Sequence, residues 1–192
     1  MPFSMKLWQI AAKDLREVEK ATLDNEARLE EWVLKDPSLL GIDILLVGRQ
    51  VRTPSGGRID LLGIDSDANL VVLELKRDKT PREIVAQALD YASWVRDLAY
   101  QEIDDLAHDF LKRPLKEVFL DRYGYPLPET VNISHSIIII ASGLDDSSER
   151  IVQYLSDQYK VPINAIFFTF FKSASGEFLG RSTQSAALRS RR

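Results

Sequence analysis

The chain has no cysteine, and its 192 residues include only two histidines, His108 and His135. That removes disulfides, thiolate zinc sites, C-x-x-C redox motifs and cysteine nucleophiles, and it puts a histidine-rich metal centre out of reach. Any metal would be held mainly by oxygen. Long apolar runs are also missing: Ile137 to Ala141 and Ala165 to Phe168 are strand-sized, far short of the ~20 residues of a membrane span. The opening MPFSMKLWQIAAKDLREVEK has no apolar h-region ahead of its charges, so no secretory signal is read and a cytoplasmic location is expected. Neither sign of charge dominates. With 25 Lys and Arg against 29 Asp and Glu, the net charge of −4 predicts no sweeping affinity for nucleic acid, but it leaves room for a local basic groove. The G-x-x-x-x-G-K-[ST], G-x-G-x-x-G and G-x-S-x-G patterns are absent, and with them the local signatures of P-loop, dinucleotide-binding and common serine-hydrolase sites.

What is present is the composition of an ordinary globular protein, 45% hydrophobic and 28% charged. A chain of this length buries roughly 70% of its unfolded surface, enough for a core without staples. Residues 1–180 read as one domain. The segment 181–192, RSTQSAALRSRR, reads as a basic tail or the start of a linker to a further domain in a longer parent protein.

Met5 to Ala12 alternates weakly, as a short strand does, and Asp14 to Asp36 carries helical spacing through Leu15, Val18, Leu23, Leu29, Trp32 and Val33. Asp24 or Asn25 would cap its second part, and Pro37 would end it. Ile42 to Val51, Arg58 to Asp65 and Leu70 to Lys76 read as a three-stranded antiparallel meander with turns at Thr53 to Gly57 and Asp65 to Asn69. A long helix is expected from Pro81 to about Leu106, its stripe Ile84, Ala88, Tyr91, Val95, Leu98 covering the sheet. Lys112 to Asn132 reads as a helical turn and a loop. Ser134 to Ala141, Asp145 to Tyr159 and Ile163 to Lys172 form a βαβ pattern, and Glu177 to Gly180 a final hairpin arm. The fold class is therefore α/β, with a central mixed sheet (antiparallel meander plus βαβ unit) flanked by helices.

One strand does not behave like plain core. In Leu70-Val-Val-Leu-Glu-Leu-Lys76, alternation puts Val72, Glu74 and Lys76 on one face and Val71, Leu73 and Leu75 on the other, so a strand apolar on both faces must also bury a carboxylate and an ammonium. An unpaired buried ion costs several kcal/mol, and it is tolerated mainly where charges pair or do chemistry. Asp60, in the preceding strand, has the same character. If the hairpin makes Asp60 and Glu74 near neighbours, two repelling carboxylates converge, and a divalent cation is the simplest neutraliser. The alternative is a Glu/Lys pair on the wet side of a half-exposed hairpin, the commoner meaning of an isolated E-x-K.

The order of residues favours the first alternative. GGRIDLLGIDSDANLVVLELKRDKTPREIVAQALDYASWV places Asp60, then Glu74 and Lys76, then Gln87 and Tyr91 one turn apart on the next helix. This series resembles the PD-(D/E)XK nuclease superfamily and, within it, the NucS-like endonucleases and RecB-type nuclease domains. Asp60 is similar to the family's first motif acid, Glu74 and Lys76 to its E-x-K, Gln87 and Tyr91 to its Q-x-x-x-Y. Glu26-Ala-Arg-Leu-Glu-Glu-Trp32 resembles its first helix, where either Glu26 or Glu30 would be one more acid.

The resemblance implies a restriction-endonuclease-like core and a metal-dependent DNA endonuclease, in repair or defence. Mg²⁺ or Mn²⁺ would be held by Asp60, Glu74, a helix glutamate (Glu26 or Glu30) and the backbone carbonyl of Leu75. Lys76 would orient or activate the attacking water and offset transition-state charge, with Gln87 and Tyr91 orienting the lysine and phosphate. Tyr91 lies on the core stripe, so packing competes with function there. Arg52, Arg58, Arg77, Lys79 and Arg82, together with Arg49 and Arg96, would form a basic rim for DNA, and Trp94 could stack on an unpaired base. A homodimer is a reasonable expectation. The competing reading is a nuclease fold without catalysis, serving as a module that binds nucleic acid or a protein.

Overall fold

The computed structural model describes residues 5–11, 14–76, 79–80, 83–144 and 146–183. The meander lies where the sequence places it: β3 (Ile44–Arg52), β4 (Arg58–Asp65) and β5 (Leu70–Leu75) pair antiparallel in succession. The later unit follows as β7 (His135–Ala141), α5 (Asp146–Tyr159) and β9 (Ile163–Ser173), and β5, β7 and β9 run parallel to one another. β5 is thus the seam between the antiparallel and the parallel part. All six of its residues are buried, as its two apolar faces require.

Beyond β9 the sheet is extended on both sides. β10 (Gly176–Thr183) folds back antiparallel along β9 and runs three residues further than the arm expected to end at Gly180. On the other side stands a hairpin, β1 (Leu7–Ala11) with β2 (Asp14–Lys20), joined to β9 through Glu19 opposite Lys172 and Lys20 opposite Phe171. The strand order is β1-β2-β9-β7-β5-β4-β3.

Helices cover both faces. α1 (Glu26–Lys35) buries Leu29 and Val33 against Leu73, Leu75, Ile138 and Ile140 on one side, each side chain contributing roughly 1.5–3 kcal/mol. Asn25 caps it by accepting the Ala27 N–H at 2.8 Å, and a single 3₁₀ turn, Pro37–Leu40, follows. On the other side lie α2 (Glu83–Val95), α3 (Tyr100–Leu111), α4 (Leu115–Tyr123) and α5. Tyr91 and Val95 pack against Ile59 and Val72, and Ile84 and Ala88 against Ile137 and Ile139. A two-residue parallel bridge, β6 (Lys79–Thr80) with β8 (Gly143–Leu144), links the exits of β5 and β7.

Three expectations are corrected. Lys112 to Asn132 holds more than a helical turn, since Leu115–Tyr123 is the helix α4, which buries Leu115 and Phe119 in the core. Asp14 to Asp36 is not one helical segment, because Asp14–Lys20 is strand β2. Leu15 and Val18 fit a helical spacing, but only Val18 is buried, and pairing to β1 and β9 satisfies the backbone that a helix would otherwise satisfy. The helix from Pro81 to Leu106 is two helices. The break at 96–99 is held by Asn132, whose amide donates to the carbonyl of Val95 at 2.8 Å, and by Glu102, which accepts the Ala99 N–H at 2.8 Å and so starts α3 afresh. Among the described residues no helix is long and apolar enough to cross a membrane.

Candidate active site

The end of β5 brings the charges together. Asp60 in β4 accepts the backbone N–H of Leu75 through Oδ2 at 2.8 Å, which locks the first acid to the E-x-K strand. Glu74 is only 1% exposed, and its Oε1 meets Lys76 Nζ at 3.4 Å. The other oxygen, Oε2, is buried without a hydrogen-bond partner. An orphaned carboxylate oxygen in the interior is costly, and it asks for a proton or a cation. Burial, reinforced by the neighbouring Asp60 charge, pushes the Glu74 carboxyl up to about 8. Burial also raises Asp60, although the Leu75 N–H and Lys76 work against it. Burial alone would lower the Lys76 ammonium, but the Glu74, Asp60 and Glu26 carboxylates outweigh it and hold the group above its ordinary value. Lys76 is therefore a fixed cation near neutral pH. Its backbone N–H donates to Ile140 at 2.8 Å, across the seam to β7.

The two glutamates of α1 take different places. Glu26, in the first turn, reaches Lys76 Nζ at 3.5 Å and faces the centre. Glu30 is 7% exposed, and its oxygens accept Arg49 Nε at 2.5 Å and Gln50 Nε2 at 3.0 Å. Gln50 donates onward to Asp60 Oδ1 at 3.1 Å. Gln50 was not singled out by the sequence. Its backbone is left-handed (φ 51°), just after a register shift between Leu46 and Gly48, and no glycine or asparagine stands at that position to announce the turn.

Gln87 and Tyr91 meet as their spacing predicts. Gln87 Nε2 donates to Tyr91 Oη at 2.7 Å, and the same oxygen accepts the Arg58 N–H at 3.0 Å. Tyr91 is buried at 3% exposure, so packing and polar anchoring coincide in one side chain. Gly57 lies against its ring. A Cβ there would fall 2.5 Å from Cε1, so the turn between β3 and β4 can close on α2 only without a side chain at that position.

Of the basic rim, Arg52 and Arg58 are exposed and stand opposite each other in the β3–β4 ladder, a like-charge pair that repels unless an anion lies over it. Arg49 is instead tied to Glu30, and Arg96 to Asp97 at 2.9 Å, so neither belongs to a free rim. Arg77 and Arg82 lie outside the described residues, and Lys79 lies in β6. Trp94 packs against the α2–α3 core. A cleft of about 220 Å³ opens beside Lys76, between Lys20–Leu23 and Phe168–Phe170.

Residues 25–105 match the family described as the endonuclease NucS C-terminal domain, and Glu26, Asp60, Glu74, Lys76, Gln87 and Tyr91 all fall inside that match. Over this segment the chain is similar to the NucS endonucleases. Among curated relatives it is 28% identical over 133 residues to an endonuclease NucS of Sulfolobus acidocaldarius, covering 69% of this chain and 51% of that protein. To the endonuclease NucS of Thermococcus kodakarensis it is 34% identical over 88 residues, 45% of this chain and 33% of the relative. The NucS-like chain thus spans about half the length of its first relative, or less of the second. Among solved structures, EndoMS in complex with double-stranded DNA superposes with a TM-score of 0.46 at 20% identity, over 77% of this chain and 46% of that one. A repair endonuclease from Pyrococcus abyssi gives 0.45 at 19% identity, over 76% and 48%.

Proposed function

We propose that this NucS-like chain is a divalent-metal-dependent endonuclease of the PD-(D/E)XK type that hydrolyses DNA phosphodiesters. The observation that carries the reading is Glu74 Oε2, a carboxylate oxygen buried without a partner beside Asp60 and Lys76. Oxygen donors in a chain without cysteine suit Mg²⁺ or Mn²⁺, and Asp60, Glu74 and the Leu75 carbonyl would hold the ion, with Glu26 as the helix acid. When bound, the ion supplies Lewis-acid polarisation of the phosphate and eases deprotonation of a water. Among the described residues no three Asp, Glu or His side chains form a ready-made metal cage, so substrate oxygens would complete the coordination.

The chain's own residues do the rest. Lys76, whose ammonium the surrounding acids hold above its ordinary value, donates from Nζ to a phosphate oxygen and offsets the negative charge that grows as the water oxygen attacks phosphorus and the P–O bond to the leaving group breaks. Asp60 is held rigid by the Leu75 N–H, which lowers the reorganisation the site must undergo. Tyr91 fixes Gln87 and the start of β4 to α2. The Arg52 and Arg58 pair supports a polyanionic substrate lying across the β3–β4 turn.

The test is cleavage of labelled single-stranded, duplex and forked DNA with Mn²⁺, Mg²⁺ or EDTA, wild type against Glu74→Gln. Ion-dependent cleavage that vanishes in the variant is expected. DNA binding without cleavage in both proteins would replace this reading with that of a non-catalytic binding module.

A further inference from the structure

We infer that Gln50 is a positioning residue of this centre, through which the buried Glu30, held by the exposed Arg49, sets the orientation of the Asp60 carboxylate. The inference rests on the metal-dependent reading above. Both hydrogens of the Gln50 amide nitrogen are committed, one to Glu30 Oε2 at 3.0 Å and one to Asp60 Oδ1 at 3.1 Å. Turning the amide over would set its oxygen against two carboxylate oxygens, so the orientation is fixed by chemistry. Glu30, on α1, is itself held by Arg49 of β3, whose guanidinium fixes the far end of the chain of contacts.

Asp60 is consequently gripped at both oxygens, Oδ1 by Gln50 and Oδ2 by the Leu75 N–H. Each oxygen keeps acceptor capacity for a cation, and the carboxylate plane is fixed. The backbone adds a second, independent observation. Gln50 adopts φ 51°, where a non-glycine residue is uncommon and strained. Glycine or asparagine would adopt that conformation more easily, but glycine has no amide and asparagine's falls a methylene short. A glutamine kept in an unfavourable backbone state, with its amide spent on a candidate ligand, indicates that the amide is what the position requires.

The experiment compares wild type, Gln50→Gly and Gln50→Asn by calorimetric titration with Mn²⁺ alone, by thermal melting in EDTA, and by steady-state cleavage of DNA. Gln50→Gly relieves the left-handed backbone, so its melting point should stay within a few degrees of wild type. Mn²⁺ binding should weaken about tenfold or more in both variants, as for other residues that orient metal ligands. The cleavage rate constant should fall while KM for DNA holds. A role confined to fold stability would move the melting point and leave Mn²⁺ affinity untouched. Wild-type Mn²⁺ affinity in a folded Gln50→Gly would overturn the inference alone. Failure of wild type itself to bind Mn²⁺ would overturn the metal reading, and the inference with it.

Discussion

The β4–β5 hairpin has a carboxylate at each end, and the two ends treat it differently. At the turn, Asp65 Oδ1 accepts the N–H groups of Asp67 at 3.0 Å and Asn69 at 2.8 Å, and Asn69 Oδ1 in turn accepts the Ser134 N–H at 2.9 Å. At the open end, Asp60 is gripped but Glu74 keeps a buried oxygen with nothing to accept. Burial raises both Asp65 and Glu74, yet only the turn carboxylate is relieved by two backbone donors. The turn aspartate builds structure. The strand glutamate keeps one buried oxygen that no donor relieves, which costs the fold stability, and this contrast is what supports the metal reading proposed above.

The comparison breaks hardest at Glu74. Glu74→Gln should lower cleavage by about a thousandfold or more while melting at least as high as wild type in EDTA at pH 8, measured by gel assay and circular dichroism. A variant that loses activity only by unfolding would make the two ends alike.

The next effect is on pH. Because the folded Glu74 carboxyl lies near 8, above its ordinary 4.5, the folded state binds the proton more tightly than the unfolded one. Stability from this group is complete below about pH 4.5 and is lost as pH rises through about 8, by a few kcal/mol, with burial of Asp60 acting in the same direction. Melting in EDTA across pH 5 to 8.5 should therefore decline in wild type and flatten in Glu74→Gln. Added Mn²⁺ should restore the wild-type value at the alkaline end.

Smaller effects sharpen the contrast. Tyr91→Phe removes an oxygen that accepts from both Gln87 and the Arg58 backbone, and should cost about 1–2 kcal/mol in denaturant titrations and lower cleavage by about tenfold. Asp65→Ala should cost about 1 kcal/mol and leave the cleavage rate per folded molecule unchanged. A large catalytic loss there would mean the two ends communicate.

How much could be read beforehand follows the same division. Arg58–Asp65 and Leu70–Leu75 emerge with boundaries within a residue of those expected, since turn chemistry and apolar runs agree there. The meeting of Asp60, Glu74 and Lys76 follows from hairpin geometry alone, and the bond between Gln87 and Tyr91 from one helical turn. Asp14–Lys20 was illegible because Leu15 and Val18 satisfy a helix as well as a strand, and only pairing to distant β9 decides. The break after Val95 depends on Asn132, remote in sequence. Gln50 was hidden for a related reason: alternation runs through Arg49-Gln50-Val51 without a glycine, and its reach to Glu30 and Asp60 exists only once β3 has kinked and α1 has docked.

The seam position of β5 separates neighbouring residues in folding time. The Leu75 amide is held by Asp60 within a local hairpin, whereas the Lys76 amide is held by Ile140, a partner reached only after three helices have been threaded. Contacts of short span close before those of long span. Pulse-labelled hydrogen exchange should thus find Leu75 protected first and Lys76 later, dating separately the moments at which the acids and the lysine of one centre come into register.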